Sequence, residues 1–295
     1  MAAAGGGSGA RTNISFNRLH NVRPQADSDG VSDSVCGIYA STFKATEQNF
    51  FHNNEVFDIA SWSGNGGAGW YGDGGSTAWT ITSNLIHDTS YFPLERNSNW
   101  QGGAGGAPSH ISNNIFVANT GMDTATDVVP KAWVGRNDGV GKGAVEWEMW
   151  TRNETFERNI VVSMHGGDLV FTGHACNSSW NPGAELGPYC SNRYADNFRS
   201  STIDRNVYWV AAGLRNASAV APLFPDARNS DNGRMPAAPG EGASFEAWQA
   251  LHDQHSVVAD PLFVDVQADD YRLRPGSPAL RLGFEPIDLG SVGPS

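Results

Sequence analysis

Four acidic side chains lie where the sequence could support cleavage of a sugar linkage. Asp73 stands in "GWYGDGG", among glycines and aromatic residues, and Asp168 stands in "MHGGDLVF" close to His165. Glu146 and Glu148, in "GAVEWEMW", are two residues apart and therefore share one face of a strand. Glycoside hydrolysis needs two carboxylates that flank one bond, one as acid and the other as nucleophile or base. We predict that Asp73 acts with at least one of the other three acids.

Aromatic side chains near these acids favour a carbohydrate ligand, because sugar rings pack their apolar C–H faces on aromatic rings. We expect the lining of a substrate groove to include Trp70, Tyr71, Trp100, Trp133 and Trp150, with Arg152 and His165 as polar contacts. Trp79 and Trp147 lie in predicted strands and are expected in the core. The competing interpretation is that half of the tryptophans are core residues and that the acids are turn or solvent-facing residues.

Two internal repeats indicate how these residues are positioned. The pattern apolar-x-x-Asn-x-apolar occurs six times, centred on Asn17, Asn54, Asn84, Asn114, Asn159 and Asn206, with apolar residues three before and two after each asparagine. A second repeat, "GIYAS" at 37–41 and "GWYGD" at 69–73, has a similar period. It places Asp73 in the same row as Ser41, and a period of about thirty residues extends that row to Trp100 and Gln101.

A stack of repeated coils explains both patterns. A short unit of strands and turns cannot bury its apolar face alone, whereas stacked units bury a continuous column. Asparagine suits the bend between two strands, and its amide can bond to the asparagines above and below it. We predict an all-β fold, a single-stranded right-handed parallel β-helix with one short helix near its C-terminal end. An antiparallel β-sandwich or a propeller is the alternative.

The remaining segments are assigned around this solenoid. Residues 1–11 are predicted as a flexible lead and 12–295 as the β-helix domain. Within it, 211–243 is rich in Pro, Gly and Ala and is expected to be a surface excursion. A short helix is predicted over 244–252, with Ser244 as its N-cap and Phe245, Trp248 and Leu251 on one face. Residues 256–295 are expected to form an irregular coil that ends the stack.

Three stretches carry a family resemblance: "GGAGWYGDGGSTAWTITSNLIHDT" (66–89), "ETFERNIVV" (154–162) and the segment 248–294. With these, the chain resembles the right-handed parallel β-helix proteins of the pectate-lyase-like superfamily. Within it, the chain is similar to a glycosidase group that includes an α-L-fucosidase and a xylanase. The resemblance implies a glycoside hydrolase that acts on a neutral or plant- or algal-type polysaccharide.

The sequence departs from that group at the proposed acids. The group's Asp-Glu pair reads Asp73-Gly74 here, so one acid is absent. Two other functions therefore stay open. A polysaccharide lyase would use Arg96, Lys131, Arg136 or Arg152 as a base. A β-helix that binds glycans or has a surface-structural role without catalysis is the other alternative.

Composition limits the partners. The net charge of −12 disfavours nucleic acid, and no apolar run approaches the roughly 18 residues that cross a membrane. We expect an oligo- or polysaccharide ligand, a monomer, and no cofactor or zinc site, although a bound calcium ion is compatible with the acids. The resemblance and four Asn-x-Ser/Thr sequons favour secretion, while the sequence itself contains no convincing signal peptide. Cys176 and Cys190 are either a disulfide or two thiols.

Overall fold

The computed structural model of the protein describes residues 2–5, 11–23, 35–42, 45–59, 67–73, 76–89, 92–96, 106–118, 145–147, 151–164, 200–211 and 244–293. In chain order the strands are β1 (Ala2–Gly5), β2 (Asn13–Ser15), β3 (Arg18–Leu19), β4 (Cys36–Ser41), β5 (Asn49–His52), β6 (Glu55–Val56), β7 (Ala68–Gly72), β8 (Trp79–Thr82), β9 (Leu85–Ile86), β10 (Leu94–Arg96), β11 (His110–Ser112), β12 (Ile115–Ala118), β13 (Val145–Trp147), β14 (Thr155–Glu157), β15 (Ile160–Ser163), β16 (Thr202–Asp204), β17 (Val207–Val210), β18 (Val257–Val258), β19 (Phe263–Asp265) and β20 (Asp270–Leu273). The described helices are α1 (Phe245–Gln249), α2 (Pro278–Arg281) and a 3₁₀ turn, Val266–Ala268.

Three parallel sheets account for all of these strands except the last two. Sheet A contains β1, β4, β7, β10 and β13; sheet B contains β2, β5, β8, β11, β14 and β16; and sheet C contains β3, β6, β9, β12, β15, β17 and β18. The chain therefore passes through sheets A, B and C in that order, and each such passage is called a circuit below. β19 and β20 form a separate antiparallel pair. The fold is all-β with short helices, in agreement with the predicted class.

A ladder of asparagine side chains joins the circuits at the corner between sheets B and C. It comprises the six predicted asparagines, and each Nδ2 donates to the Oδ1 of the next, over 2.9 to 3.3 Å. From Asn17 to Asn159, the main-chain N–H of each also donates to that same oxygen. Four of the six are at most 1% exposed over the whole residue, namely Asn54, Asn84, Asn114 and Asn206, and Asn159 matches them. The predicted stacking of these side chains is confirmed.

A buried carboxylate ends this ladder. Asp253 Oδ1 accepts from Asn206 Nδ2 at 2.9 Å, and Oδ2 accepts from the Tyr208 hydroxyl at 2.7 Å and from Trp248 Nε1 at 2.6 Å. Ser256 Oγ donates to Oδ1 as well. Burial raises the pKa of Asp253, and the hydrogen bonds from these side chains oppose that rise. Because every amide in the ladder donates in the same direction, an acceptor without a proton of its own suits its last position.

The bend at each ladder position is made by the preceding residue. Positive φ values of 53° to 58° occur at the six residues directly before the ladder asparagines: Phe16, Asn53, Ser83, Asn113, Arg158 and Arg205. The ladder asparagines themselves are absent from the positive-φ residues of the described chain. The expectation that asparagine is present for its turn conformation is therefore wrong. The side-chain amide is what each ladder position requires.

The apolar residues of the repeat fill the inside of the circuits, as predicted. Ten of the twelve flanking positions are buried: Phe51, Val56, Ile81, Ile86, Ile111, Phe116, Phe156, Val161, Ile203 and Tyr208. Ile14 and Leu19, in the first described circuit, are partly buried against the same cluster. Since the residues at one position lie directly above one another, each circuit covers the apolar side chains of its neighbour.

A second apolar cluster covers the outer face of sheet C. Its sheet residues include Leu85, Ile115, Val117, Ile160 and Val162, which explains why these strands read as continuous apolar runs. The covering residues come from the C-terminal segment 263–293 and include Phe263, Val266, Tyr271, Ala279 and Phe284. A sheet with apolar side chains on both faces needs such a cover.

The C-terminal segment therefore differs from the predicted terminal coil over 256–295. β18 does extend sheet C, but the chain beyond it returns along the outside of the stack. Asn113 exchanges two hydrogen bonds with the backbone of Glu285, and Gly293 N–H donates to the carbonyl of Phe16 in the first described circuit. The covering role explains this path, because it buries the outer apolar face of sheet C.

The predicted helix near residue 244 is present but shorter. α1 begins after Ser244, whose hydroxyl accepts from the N–H of Ala247, as an N-cap does. Trp248 is buried and Phe245 is partly buried against the core. Leu251 is 52% exposed, so its predicted place on the packed face is wrong. The helix ends at Gln249, before Leu251 can continue its apolar stripe.

The ladder makes a graded prediction about stability. Asn114→Ala should lower the free energy of unfolding by about 3 kcal/mol, because it leaves two buried donors of Asn84 and the carbonyls of Ile81 and Ser112 without partners. Asn17→Ala, at the half-buried open end, should cost about 1 kcal/mol. Urea unfolding of both variants checks this. Equal losses at the two positions would contradict the buried ladder as a source of stability.

Candidate functional site on the outer face of sheet A

One row of side chains on sheet A carries the groups with chemical potential. Strand register places these residues beside one another across four strands: Tyr39, Tyr71, Glu95 and Glu146. The adjacent row, Ile38, Trp70, Leu94 and Val145, is buried in the core. Because side chains alternate along a strand, the first row belongs to the outer face of the sheet.

Asp73 lies at the end of β7 on this outer face, and its carboxylate is held by two tyrosines. The Tyr39 hydroxyl donates to Oδ2 of Asp73, and the Tyr71 hydroxyl lies 3.4 Å from Oδ1. The two rings contact each other edge to face, with centroids 5.5 Å apart. Burial raises the pKa of Tyr39 to about 12, with further contributions from the hydrogen bond to Asp73 and from its charge. The phenol therefore stays a neutral donor over the ordinary pH range.

Buried hydroxyl groups fix the backbone that carries Asp73. The Asp73 N–H donates to the carbonyl of Ala40 at 2.9 Å, which continues the parallel pairing with β4. Ser76 Oγ donates to the Asp73 carbonyl at 2.9 Å and accepts from the N–H of Thr42 at 3.1 Å. Ser76 and Thr42 are fully buried. The Asp73 backbone is thus held in place from inside the protein while its carboxylate faces outward.

Glu95 supplies a second acid on this face, and the sequence analysis did not single it out. It is 7% exposed and lies beside Tyr71 in the next strand. Strand spacing places its Cα roughly 8 Å from that of Asp73. The thiol of Cys36 registers both acids. Burial is the first cause that raises the pKa of Cys36 to about 12, and the charges of Glu95 and Asp73 add to it.

Trp70 is the clearest correction to the predicted groove. Its side chain is 1% exposed and packs edge to face on Trp79, with ring centroids 5.7 Å apart. A Cβ added at Gly72 would lie 2.5 Å from the Trp70 ring, so the glycine makes room for the indole rather than for a ligand. Trp70 is therefore a core residue. Trp79, predicted as core, is buried as expected.

The row that contains Asp73 also differs from the prediction beyond β7. The pairing of Ala40 with Gly72 puts Ser41 beside Asp73, as the repeat predicted. In the next circuit Arg96 pairs with Gly72, so the neighbour of Asp73 is position 97 rather than Trp100. The spacing between β7 and β10 is 24 residues, because the thirty-residue period of the ladder does not apply to sheet A.

Arg96 does not face the candidate site. It is 1% exposed, and its Nη1 lies 2.5 Å from Oε2 of Glu154, which is fully buried. Glu154 also accepts from the hydroxyl and the N–H of Thr151. Arg96 is committed to this internal ion pair and is not available as a base for a lyase. Arg152 is exposed on the turn before β14, and its predicted role in substrate binding stays a prediction.

Several predicted site residues lie outside the described part of the chain: Trp100, Trp133, Glu148, Trp150, His165 and Asp168, together with Lys131, Arg136, Cys176 and Cys190. For Glu146 the structure describes the backbone, which pairs with Glu95. Tyr71 and Asp73 are brought together as predicted neighbours. Tyr39 and Glu95 were missed. The "GIYAS" repeat contained the signal for Tyr39, since it aligns that residue with Tyr71.

The described residues contain one cluster with the spacing of metal ligands, His87, Asp88 and Asp269, and it lies beside sheet C rather than sheet A. Among the described helices, none has the length and apolar character needed to cross a membrane. Comparisons of the chain with family models, with curated proteins and with solved structures found no significant match.

The hydrogen bond between Tyr39 and Asp73 predicts a measurable titration. Asp73→Asn should lower the pKa of Tyr39 from about 12 toward 10, because the negative charge that opposes its ionisation is removed. Absorbance at 295 nm against pH, taken as the difference from the Tyr39→Phe variant, reports this phenol. Asp58→Asn, which changes a carboxylate paired with Arg23, is the matched control. An unchanged Tyr39 titration in Asp73→Asn would contradict the described contact.

Proposed function

We propose that the protein is a glycoside hydrolase that acts on a neutral or plant- or algal-type polysaccharide along the outer face of sheet A. The observation that carries the proposal is the pair of acids on that face: the Asp73 carboxylate held by two tyrosine hydroxyls, and Glu95 one strand away. Glycosidases use two carboxyl groups about 5–5.5 Å or about 6.5–9.5 Å apart. Side chains whose Cα atoms are roughly 8 Å apart can span either distance.

The geometry favours different roles for the two acids. Hydrogen bonds from Tyr39 and Tyr71 fix the direction of the Asp73 carboxylate, which suits a nucleophile or a base that activates water. Glu95 is largely withdrawn from solvent, which suits the acid that protonates the leaving oxygen. Glu146 continues the same row and is the alternative partner.

This arrangement offers an answer to the absent acid at position 74. The pair implied by the resemblance would come from two consecutive residues, whereas here the second acid would come from the next circuit. Tyr39 and Tyr71 also replace Trp70 as the aromatic surface for a sugar ring, since both are part-exposed and in contact with Asp73. The acidic character of this face agrees with a neutral ligand better than with a polyanionic one.

A lyase and a non-catalytic glycan-binding protein remain the competing functions. The internal ion pair of Arg96 removes one of the bases that a lyase would need. We further propose that the three parallel sheets belong to a right-handed parallel β-helix of the pectate-lyase-like superfamily. This handedness is the one that parallel crossovers adopt almost without exception. Secretion, a monomeric state and activity without a cofactor, with calcium as an optional ligand, are parts of the same proposal.

A glycan panel with two readouts tests the function. The wild-type protein should release reducing ends from at least one neutral polysaccharide, without the ultraviolet absorbance of a new double bond. Asp73→Asn and Glu95→Gln should each lower kcat by at least about 100-fold, since general acid–base catalysis contributes 10²–10⁴-fold.

The matched control is Glu47→Gln, which changes an exposed acid paired with Arg11 on another part of the stack and should retain full activity. Appearance of the ultraviolet signal would indicate a lyase. Glycan binding without product, unchanged by Asp73→Asn, would support the non-catalytic alternative and contradict the hydrolase.

A further inference from the structure

A second cluster of chemical groups lies on the opposite part of the fold, where the C-terminal segment covers sheet C. His87 and Asp88 directly follow β9 in the third circuit, and Asp269 follows the 3₁₀ turn of the C-terminal segment. One ring nitrogen and two carboxylate oxygens from these residues all lie within 4.8 Å of one another. The cluster therefore joins two parts of the chain that are 181 residues apart in sequence, from Asp88 to Asp269.

The imidazole at the centre of this cluster is buried and incompletely satisfied. His87 is 3% exposed over the whole residue. Its Nδ1 lies 2.8 Å from Oδ2 of Asp88, whereas its Nε2 is buried without a hydrogen-bond partner. The nearest acid to Nε2 is Glu55, whose Oε1 is 3.9 Å away. Buried polar atoms without partners are uncommon, and each needs an explanation.

Aromatic rings hold this imidazole in a fixed orientation. Phe57 stacks on His87 with ring centroids 5.2 Å apart and planes within 6° of parallel. Tyr271 packs on it at 5.1 Å, and the Tyr271 hydroxyl donates to Oδ1 of Asp269 at 3.2 Å. The same tyrosine thus contacts the histidine and orients the acid. Metal sites commonly use such outer hydrogen bonds to orient their ligands.

The charges around His87 favour a cation. Three carboxylates, those of Glu55, Asp88 and Asp269, surround one imidazole, and Arg18 is the cation paired with Glu55. Burial lowers the pKa of His87, yet interactions with these acids outweigh it and bring the pKa to about 8. Asp269 is exposed, so an ion from solution can reach the cluster without unfolding of the core.

We propose that His87, Asp88 and Asp269 form a binding site for a divalent transition-metal ion of the zinc type, which fastens the C-terminal segment to the third circuit. A set of one imidazole and two carboxylates suits zinc and its neighbours, whereas calcium prefers oxygen ligands alone. Glu55 lies close enough to be drawn in as a further ligand after a side-chain shift. Water completes the coordination on the exposed side of Asp269.

The site's position gives it a structural role. Tyr271 belongs to the apolar cluster that covers sheet C, so an ion bound beside it stabilises the cover where its strands β19 and β20 begin. Binding to the folded chain alone raises stability in proportion to the logarithm of ion concentration over Kd. The proposal is independent of the hydrolase function, because the cluster lies beside sheet C and the acids of the candidate active site lie on sheet A.

Zinc titration of metal-free protein tests the proposal. Calorimetry should show an ion that binds with 1:1 stoichiometry, and thermal unfolding should shift to a higher Tm with added zinc chloride. Asp269→Asn should weaken this binding at least tenfold and remove the Tm shift. Because Asp269 is exposed, this variant should fold, and it decides the question even if His87→Gln does not fold.

The matched control is Asp270→Asn, which changes the neighbouring acid that pairs with Arg272 and should bind zinc like the wild type. Absence of zinc binding by the wild-type protein would overturn the proposal. Undiminished binding by Asp269→Asn, or a Tm shift with calcium chloride and none with zinc, would overturn it equally.

Discussion

The need to satisfy buried amide groups at one corner determines how the circuits stack. Each ladder asparagine is surrounded by apolar side chains, so its donors and acceptors must find partners within the protein. The asparagine of the next circuit provides the acceptor, and this is possible only when successive circuits are aligned at that corner. The ladder thereby sets the register of sheets B and C. Asp253 completes the ladder by accepting the last amide of the series and the side chains of the cap.

Sheet A is less constrained, and this difference explains how a functional site can form there. Along the ladder, Asn54, Asn84 and Asn114 repeat every thirty residues, whereas in sheet A Tyr71 follows Tyr39 by 32 residues and Glu95 follows Tyr71 by 24. The segments on either side of sheet A absorb these differences in length. Residues from circuits of unequal length can therefore meet on its outer face, and that is how Tyr39, Asp73 and Glu95 come to share one surface.

The same difference sets the limit of prediction from sequence. The ladder and its apolar flanks could be predicted because one short pattern specifies both the bond and the packing. The partner of Asp73 could not, because a fixed period does not hold where segment lengths vary, and the row reached Arg96 and position 97 instead of Trp100. Trp70 was predictable in principle. Three residues separate it from Asp73, so in an extended strand the two side chains point to opposite faces, and only one can line a groove.

The cover over sheet C was missed for another reason. Its strands are apolar on both faces, as the runs "NIFVA" and "NIVVS" state, and such strands need partners on both sides. The sequence pattern gives the need for a cover but not the path of the segment that supplies it. That path depends on specific contacts, such as those of Asn113 with Glu285, that have no local signature.

Hydrogen exchange of the ladder side chains tests the central claim most directly. In a uniformly ¹⁵N-labelled protein, the Nδ2 protons of Asn84 and Asn114 should exchange as slowly as the most protected backbone amides, because only unfolding of the stack exposes them. Asn17, at the open end, should exchange faster. Exchange of Asn84 and Asn114 within seconds, like that of solvent-exposed asparagines, would contradict the ladder as the interaction that holds the circuits in register.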